Sequence, residues 1–314
     1  NANWDNITVS NVEILDGNYQ NYTDSSSQSA LTIQQVLDKG FVEAKNIVFS
    51  LAASESDGQL DGSVISGAIS LRGTNQSDTL IGNDQSNVIF LHADTKEGAG
   101  FGVDTVSAGG GDDSIRLEQT RYFPEWSQIF SGYDANTNSY LVSGAIDGGA
   151  GNDEFLVSIN ERWFHAGGGY SNEVRWGLDL TQLSMTNIES LVLTSRYDFG
   201  LDHLLLTASQ VSSLSTIKGA KSLVVMGGGD IDLDHLTSIG ITSWRIGDDL
   251  AYIFAGTSAA DTVEVGTGQS VVNTGDGDDT IRISDQSNPA NVLNGGAGQD
   301  TLVISGADVD ISTL

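Results

Sequence analysis

The chain has no cysteine, two prolines, four histidines and only thirteen basic residues in 314. Without cysteine there is no disulfide framework, no thiolate metal site and no cysteine nucleophile, so stability has to come from an apolar core, backbone ladders and bound ions. The few lysines and arginines face 42 acidic residues, a formal charge of −29. That balance argues against nucleic acid as a partner and favours cations. Self-repulsion of this size opposes a compact state unless divalent ions neutralise carboxylates. No apolar run approaches the roughly 20 residues of a membrane span. No GxSxG elbow, HExxH helix or Walker loop is present. His203 and His235 each stand in a Leu-Asp-His-Leu phrase, but adjacent strand residues face opposite ways, so aspartate and histidine do not converge there. Asn1 has no basic-then-apolar leader before it, as expected of a processed chain, a fragment or a protein exported without an N-terminal signal.

Glycine is abundant, at 38 residues, and it is patterned. Gly148 to Asp153 reads GGAGND and Gly295 to Asp300 reads GGAGQD, each followed by a short apolar run. Glycines let the backbone take a tight positive-φ path with converging carbonyls, and the aspartate adds a hard anionic oxygen, which is calcium chemistry. A nine-residue register followed by its sixth position gives Asp78 and Asn87, Asp104 and Asp113, Asp153, then Asp261, Ser270 and Asp279, and Asn291 and Asp300. Two places after each comes an apolar residue: Leu80, Ile89, Val106, Ile115, Phe155, Val263, Val272, Ile281, Leu293 and Leu302. The glycines of these turns are Gly73, Gly102, Gly109 and Gly111, Gly148, Gly149 and Gly151, Gly256, Gly275 and Gly277, and Gly295, Gly296 and Gly298.

The chain also repeats on a longer scale. Asn11 to Leu15 returns as Asn187 to Leu191, and Ala44 to Val48 as Ala220 to Val224. Gly73-Thr74 with Asp78 matches Gly256-Thr257 with Asp261. Gly306 to Leu314 resembles Gly177 to Leu183, the entry of the second unit, so a segment of a longer array, or ends covered by a partner chain, is expected. We read a first unit over 1–158 with an aromatic-rich insertion at about 117–146, a junction over 159–178 and a second unit over 179–314. Short Val/Ile/Leu/Thr runs lie between Gly/Asn/Asp/Ser clusters, for example Ile47 to Leu51, Leu191 to Thr194, Leu223 to Met226 and Tyr252 to Ala255. Thr32 to Leu37 and Thr207 to Leu214 read as brief helices, each with a threonine N-cap. The expected fold is all-β, a parallel β-helix or β-roll solenoid of two repeated units with short helical excursions; a Greek-key sandwich is the competing reading.

In these turns the chain resembles the RTX (repeats-in-toxin) family, whose nonapeptides wind into a parallel β-roll with calcium between stacked turns. The resemblance implies several Ca²⁺ ions held by the aspartates and glycine-turn carbonyls named above, a secreted or cell-surface location, and export by a type I secretion system. Two nonapeptides make one coil in that family, so Asp261 and Asp279, 18 apart, are expected on one edge, and Asp300 follows after 21. In the first unit the spacings of 17 between Asn87 and Asp104 and 35 between Asp78 and Asp113 predict a degraded ladder. Asn87, Ser270 and Asn291 lack the charge of an aspartate, so fewer and weaker ions are expected there, or none. One carboxylate per turn predicts loose sites, on the order of 10⁻⁴ to 10⁻³ M, and hence a chain that folds on meeting external calcium.

Between Gln119 and Leu180 lie eleven of the 23 aromatics, among them Trp126, Trp163 and Trp176. They either form a local core or stack on cell-surface glycan. The expected function is a non-catalytic calcium-binding structural module of a bacterial surface protein, an S-layer subunit or an adhesin, associating with itself or with neighbouring repeats. The alternative is a secreted carbohydrate-binding or polysaccharide-degrading β-helix, for which Arg116, Arg121, Arg162, Arg175 and Arg196 form a sparse basic group.

Overall fold

A computed structural model describes residues 14–16, 33, 38, 43–45, 48–51, 57–74, 76–91, 102–118, 133–134, 139–159, 177–195, 203–236, 241, 243–247, 249–284 and 287–306. The chain is almost all-β, its strands short and paired in long parallel sheets. Two compact units are formed, one by residues 1–135, 140–174 and 182–199, the other by 136–139, 175–181 and 200–314.

In the first unit the chain alternates between two sheets, one strand at a time. Gln59–Asp61, Thr79–Ile81, Asp104–Ser107 and the end of Ser139–Asp147 lie side by side in one. Val48–Ser50, Ser70–Arg72, Val88–Phe90, Ser114–Glu118, Glu154–Ile159 and Ser190–Ser195 make the other. Residues 139–146, at the end of the span read as an insertion, thus carry a strand that continues the coil. In the second unit His203–Thr207, Ser222–Met226, Ser243–Ile246, Thr262–Glu264, Thr280–Ser284 and Thr301–Ser305 form one parallel sheet. Gly229–Asp232, Tyr252–Ala255, Ser270–Asn273 and Val292–Asn294 form the facing one.

Lateral registration puts the apolar residue of each turn above its counterpart. Phe49, Leu71, Ile89, Ile115, Phe155 and Leu191 form one inward column. Leu204, Leu223, Trp244, Val263, Ile281 and Leu302 form another. Of the ten positions marked by the nonapeptide register, eight are buried, Leu293 is half-buried, and Leu302 is 40 % exposed. Each fully buried side chain contributes about 1.5–3 kcal/mol. Every second residue of a short strand faces inward, and the glycine turn between strands resets the chain so that the same register position enters the core each time.

The helix predicted over Thr207 to Leu214 forms as Ala208–Ser213. Thr207 caps it, its side chain accepting from the Gln210 N–H while the Gln210 side chain accepts from the Thr207 N–H at 2.7 Å. The Gln210 amide also donates to the Leu180 carbonyl at 2.7 Å, which docks the helix on its own unit. The other expected helix, Thr32 to Leu37, lies almost wholly outside the described residues, as do the named aromatics of the insertion, His92 and His165.

Candidate functional site

The glycine turns stack directly on one another. In the first unit Gly109–Asp113 lies under Gly149–Asp153: the Ala150 N–H donates to the Gly109 carbonyl at 2.9 Å and the Gly111 N–H to the Ala150 carbonyl at 2.8 Å. In the second, Gly275–Asp279 and Gly296–Asp300 repeat the pattern, with Ala297 donating to Gly275 and Gly277 to Ala297 at 2.9 and 2.8 Å. Gly149 and Gly296 have φ of +91° and +84°. A Cβ on either would lie 1.9 or 1.8 Å from the carbonyl oxygen of Gly109 or Gly275. Only glycine meets both the left-handed backbone and that approach.

The sixth-position side chains form a ladder through the stack. The Asp78 N–H donates to Asp104 Oδ1 at 2.9 Å, Asn87 to Asp113 Oδ1 at 2.6 Å, and Asp113 to Asp153 Oδ1 at 2.7 Å. In the second unit Asp261 donates to Asp279 Oδ1 at 2.7 Å and Asp279 to Asp300 Oδ1 at 3.1 Å. On the opposite edge Ser270 donates to Asn291 Oδ1 at 2.7 Å, so that rung carries no formal charge. The order expected for Asp261, Asp279 and Asp300 is the order found. In the first unit the partners are Asp78 with Asp104 and Asn87 with Asp113, both 26 residues apart, so the spacings of 17 and 35 compare turns on different edges. Two ladders interleave there, one through rungs 20 and 26 residues apart, the other through rungs 26, 40 and 36 apart.

The second carboxylate oxygen divides these aspartates into two kinds. Asp78 Oδ2 accepts from Thr74 Oγ1 at 2.8 Å and from the Thr74 N–H, and its Oδ1 from the Gly58 N–H at 2.8 Å. Asp261 Oδ2 accepts from the Thr257 N–H at 2.7 Å and Oγ1 at 3.0 Å, and its Oδ1 from Trp244 Nε1 at 3.0 Å. These two carboxylates, both in Gly-Thr turns, are fully bonded. Among the described residues, Asp113, Asp153 and Asp279, in Gly-Gly or Gly-Asp-Gly turns, each keep a buried Oδ2 with no hydrogen-bond partner. A buried anionic oxygen without a donor is costly unless a cation meets it. Burial pushes the Asp104 carboxyl up to about 7 and the Asp113 carboxyl to about 6, partly offset by the N–H groups of Asp78 and Asn87. Burial, with Glu189 nearby, raises Asp153 as well.

These oxygens fit calcium, which takes about six to eight hard oxygen ligands, carbonyls included. Among the described residues no three acidic or histidine side chains cluster around a point, so the remaining ligands have to come from the turns' own carbonyls. Gly148 and Gly295 lie against Asp153 Oδ2 and Asp300 Oδ2, where a Cβ would sit within 2.6 Å. Gly73 and Gly256 hold the Thr-bonded aspartates in the same way, and a Cβ on Gly102 would lie 2.1 Å from the Gln76 backbone. Asp300 lies at the exposed end of its ladder.

Four contributors stand beyond the expected ligands. Glu189 Oε2 accepts from the Asp153 N–H at 2.8 Å and extends the first ladder by a rung. Its turn has Asn187, at φ +51°, where the others have glycine; an asparagine two residues before an acid was the available signal. Thr74, Thr257 and Trp244 close the ladder starts. His203 lies against the Gly177 backbone and His235 is exposed.

Comparison with known families agrees with this geometry. The RTX calcium-binding nonapeptide repeat is found in four copies, at residues 70–95, 99–118, 255–282 and 290–303. Repeats of this type bind several Ca²⁺ ions. The turn Gly148–Asp153 lies outside the four matched segments although it stacks on Gly109–Asp113 in the same manner. No curated protein and no solved structure matches the chain.

Proposed function

We propose that the chain is a non-catalytic, calcium-rigidified structural module of a secreted bacterial cell-surface protein, either an S-layer subunit or an adhesin stalk. The observation that carries this reading is the set of buried, partnerless Oδ2 atoms on Asp113, Asp153 and Asp279 between stacked glycine turns. Asp113 and Asp153 with the turn carbonyls of 109–113 and 148–153 would hold one ion, and Asp279 and Asp300 with those of 275–279 and 295–300 another. Bound calcium supplies positive charge at the turn junctions and ties coil to coil. The aspartate N–H ladder fixes each carboxylate in place, and the glycines keep the carbonyls within reach.

A solenoid stiffened in this way serves as a spacer or a building block. Size-exclusion chromatography with light scattering across a calcium titration tests both forms. The hydrodynamic radius should shrink as calcium is added. Constant mass identifies the stalk, and growth into large assemblies identifies the surface-layer subunit. A radius and mass unchanged between excess EGTA and millimolar calcium contradict the reading.

A further inference from the structure

Asn87 occupies the sixth position of the turn Asn83–Asn87, where Asp113 stands one coil later. It is 1 % exposed. Its Nδ2 lies 3.1 Å from the Asn83 carbonyl, 3.3 Å from the Ala108 carbonyl and 3.1 Å from Asp113 Oδ1, and it also donates to the Gln85 carbonyl. Two of these oxygens belong to its own turn and two to the next coil. They converge from both sides on one point between the stacked turns. A swapped amide would put Asn87 Oδ1 among three carbonyls and a carboxylate, so the chemistry fixes the nitrogen there.

The two junctions correspond at the positions that surround the sixth-position side chain. The Gly110 N–H donates to the Asn83 carbonyl at 3.0 Å as the Ala150 N–H donates to Gly109, so Asn83, Gln85 and Ala108 correspond to Gly109, Gly111 and Gly148. At the later junction the sixth residue is Asp113, whose Oδ2 has no donor. Aspartate and asparagine have nearly the same shape. One presents an anionic oxygen that needs a cation, the other two N–H hydrogens that take a cation's place. An NH₂ group with two hydrogens shared among four oxygens behaves as a single positive centre.

We propose that the Asn87 amide replaces a calcium ion, so that the junction between turns 83–87 and 109–113 closes without metal while the junction between 109–113 and 149–153 requires it. The proposal rests on the calcium reading of the later junction. The first unit then contains a metal-free start, already locked at low calcium, on which calcium-dependent coils are laid. Asparagine at the sixth position is not sufficient by itself. Asn291 Oδ1 takes the Ser270 N–H and its Nδ2 has no partner among the described residues, the reverse of Asn87, whose Nδ2 is bonded and whose Oδ1 is the partnerless atom. The convergence of carbonyls on Asn87 makes the difference.

The test is calcium stoichiometry by equilibrium dialysis, with melting temperature in EGTA and in calcium, on the full chain. Asn87→Asp should bind one more calcium ion than the parent, melt lower in EGTA, and recover when calcium is added. Asn87→Leu, which keeps the bulk and removes the donors, should lower the melting temperature in EGTA without adding an ion. An unchanged ion count in a folded Asn87→Asp, or an Asn87→Leu as stable as the parent in EGTA, overturns the proposal. Should Asn87→Asp fail to fold in either condition, Asn87→Leu decides alone. A parent chain that binds no calcium sinks the calcium reading separately, and the EGTA comparison of Asn87→Leu still judges the amide.

Discussion

Five carboxylates in the sixth position of glycine turns divide by their neighbour four residues before. Thr74 and Thr257 satisfy Asp78 and Asp261 with a hydroxyl and an N–H, whereas glycine at that place leaves Asp113, Asp153 and Asp279 open. Thr257→Val should therefore cost about 1–3 kcal/mol equally with and without calcium, as measured by chemical denaturation in both. A loss seen only in calcium would contradict the division. Within one turn, Gly149→Ala meets a carbonyl at 1.9 Å and a φ of +91°, and should cost more than the roughly 1–2 kcal/mol of left-handed backbone alone. Gly110→Ala has its nearest atom at 3.4 Å and should be neutral, as Ala150, Ala297 and Asp276 already show at the same place.

Proton binding follows from the same buried oxygens. The Asp104 carboxyl rises from an ordinary 3.8 to about 7 and Asp113 to about 6. The calcium-free fold then holds protons that the unfolded chain has released, and its stability increases as pH falls from about 7 towards 4. The melting temperature in EGTA should be higher at pH 5 than at pH 8, and calcium affinity lower at pH 5 because protons compete for the same oxygens. A calcium-free protein that melts lower at pH 5 would contradict this.

At the scale of the strand, the inward column is what the nonapeptide encodes. Ile89 sits fully buried between Leu71 and Ile115, and Ile89→Ala should cost about 2–5 kcal/mol, against a change within about 0.5 kcal/mol for the exposed Val64→Ala; urea melts in calcium check both. This part was legible because an apolar residue stands two places after the sixth position of every turn. The capped helix was legible for a similar local reason: Thr207 and Gln210 complete each other within one turn. Lateral partners were legible only where coils are short. With 18 and 21 residues between rungs the second unit could be ordered by counting. The first unit runs through 26, 40 and 36 residues, and counting cannot tell a longer coil from a change of edge. Glu189 was hidden because Asn187 replaces the glycine that marks a turn, and nothing local announces that Trp244 reaches Asp261 from 17 residues away.

At the scale of the molecule, a charge of −29 and partnerless buried carboxylates act in one direction: both oppose the calcium-free fold, and both are relieved by the ion. The sequence indicated this balance from composition alone. The division into closed, open and amide-filled rungs required the hydrogen bonds. The most direct test is far-UV circular dichroism with thermal melting of the full chain, in millimolar calcium and in excess EGTA at the same ionic strength. A β spectrum and a raised melting temperature are expected in calcium, with much of both lost in EGTA and restored by adding calcium back. The same spectrum and the same melting temperature in the two conditions would contradict it.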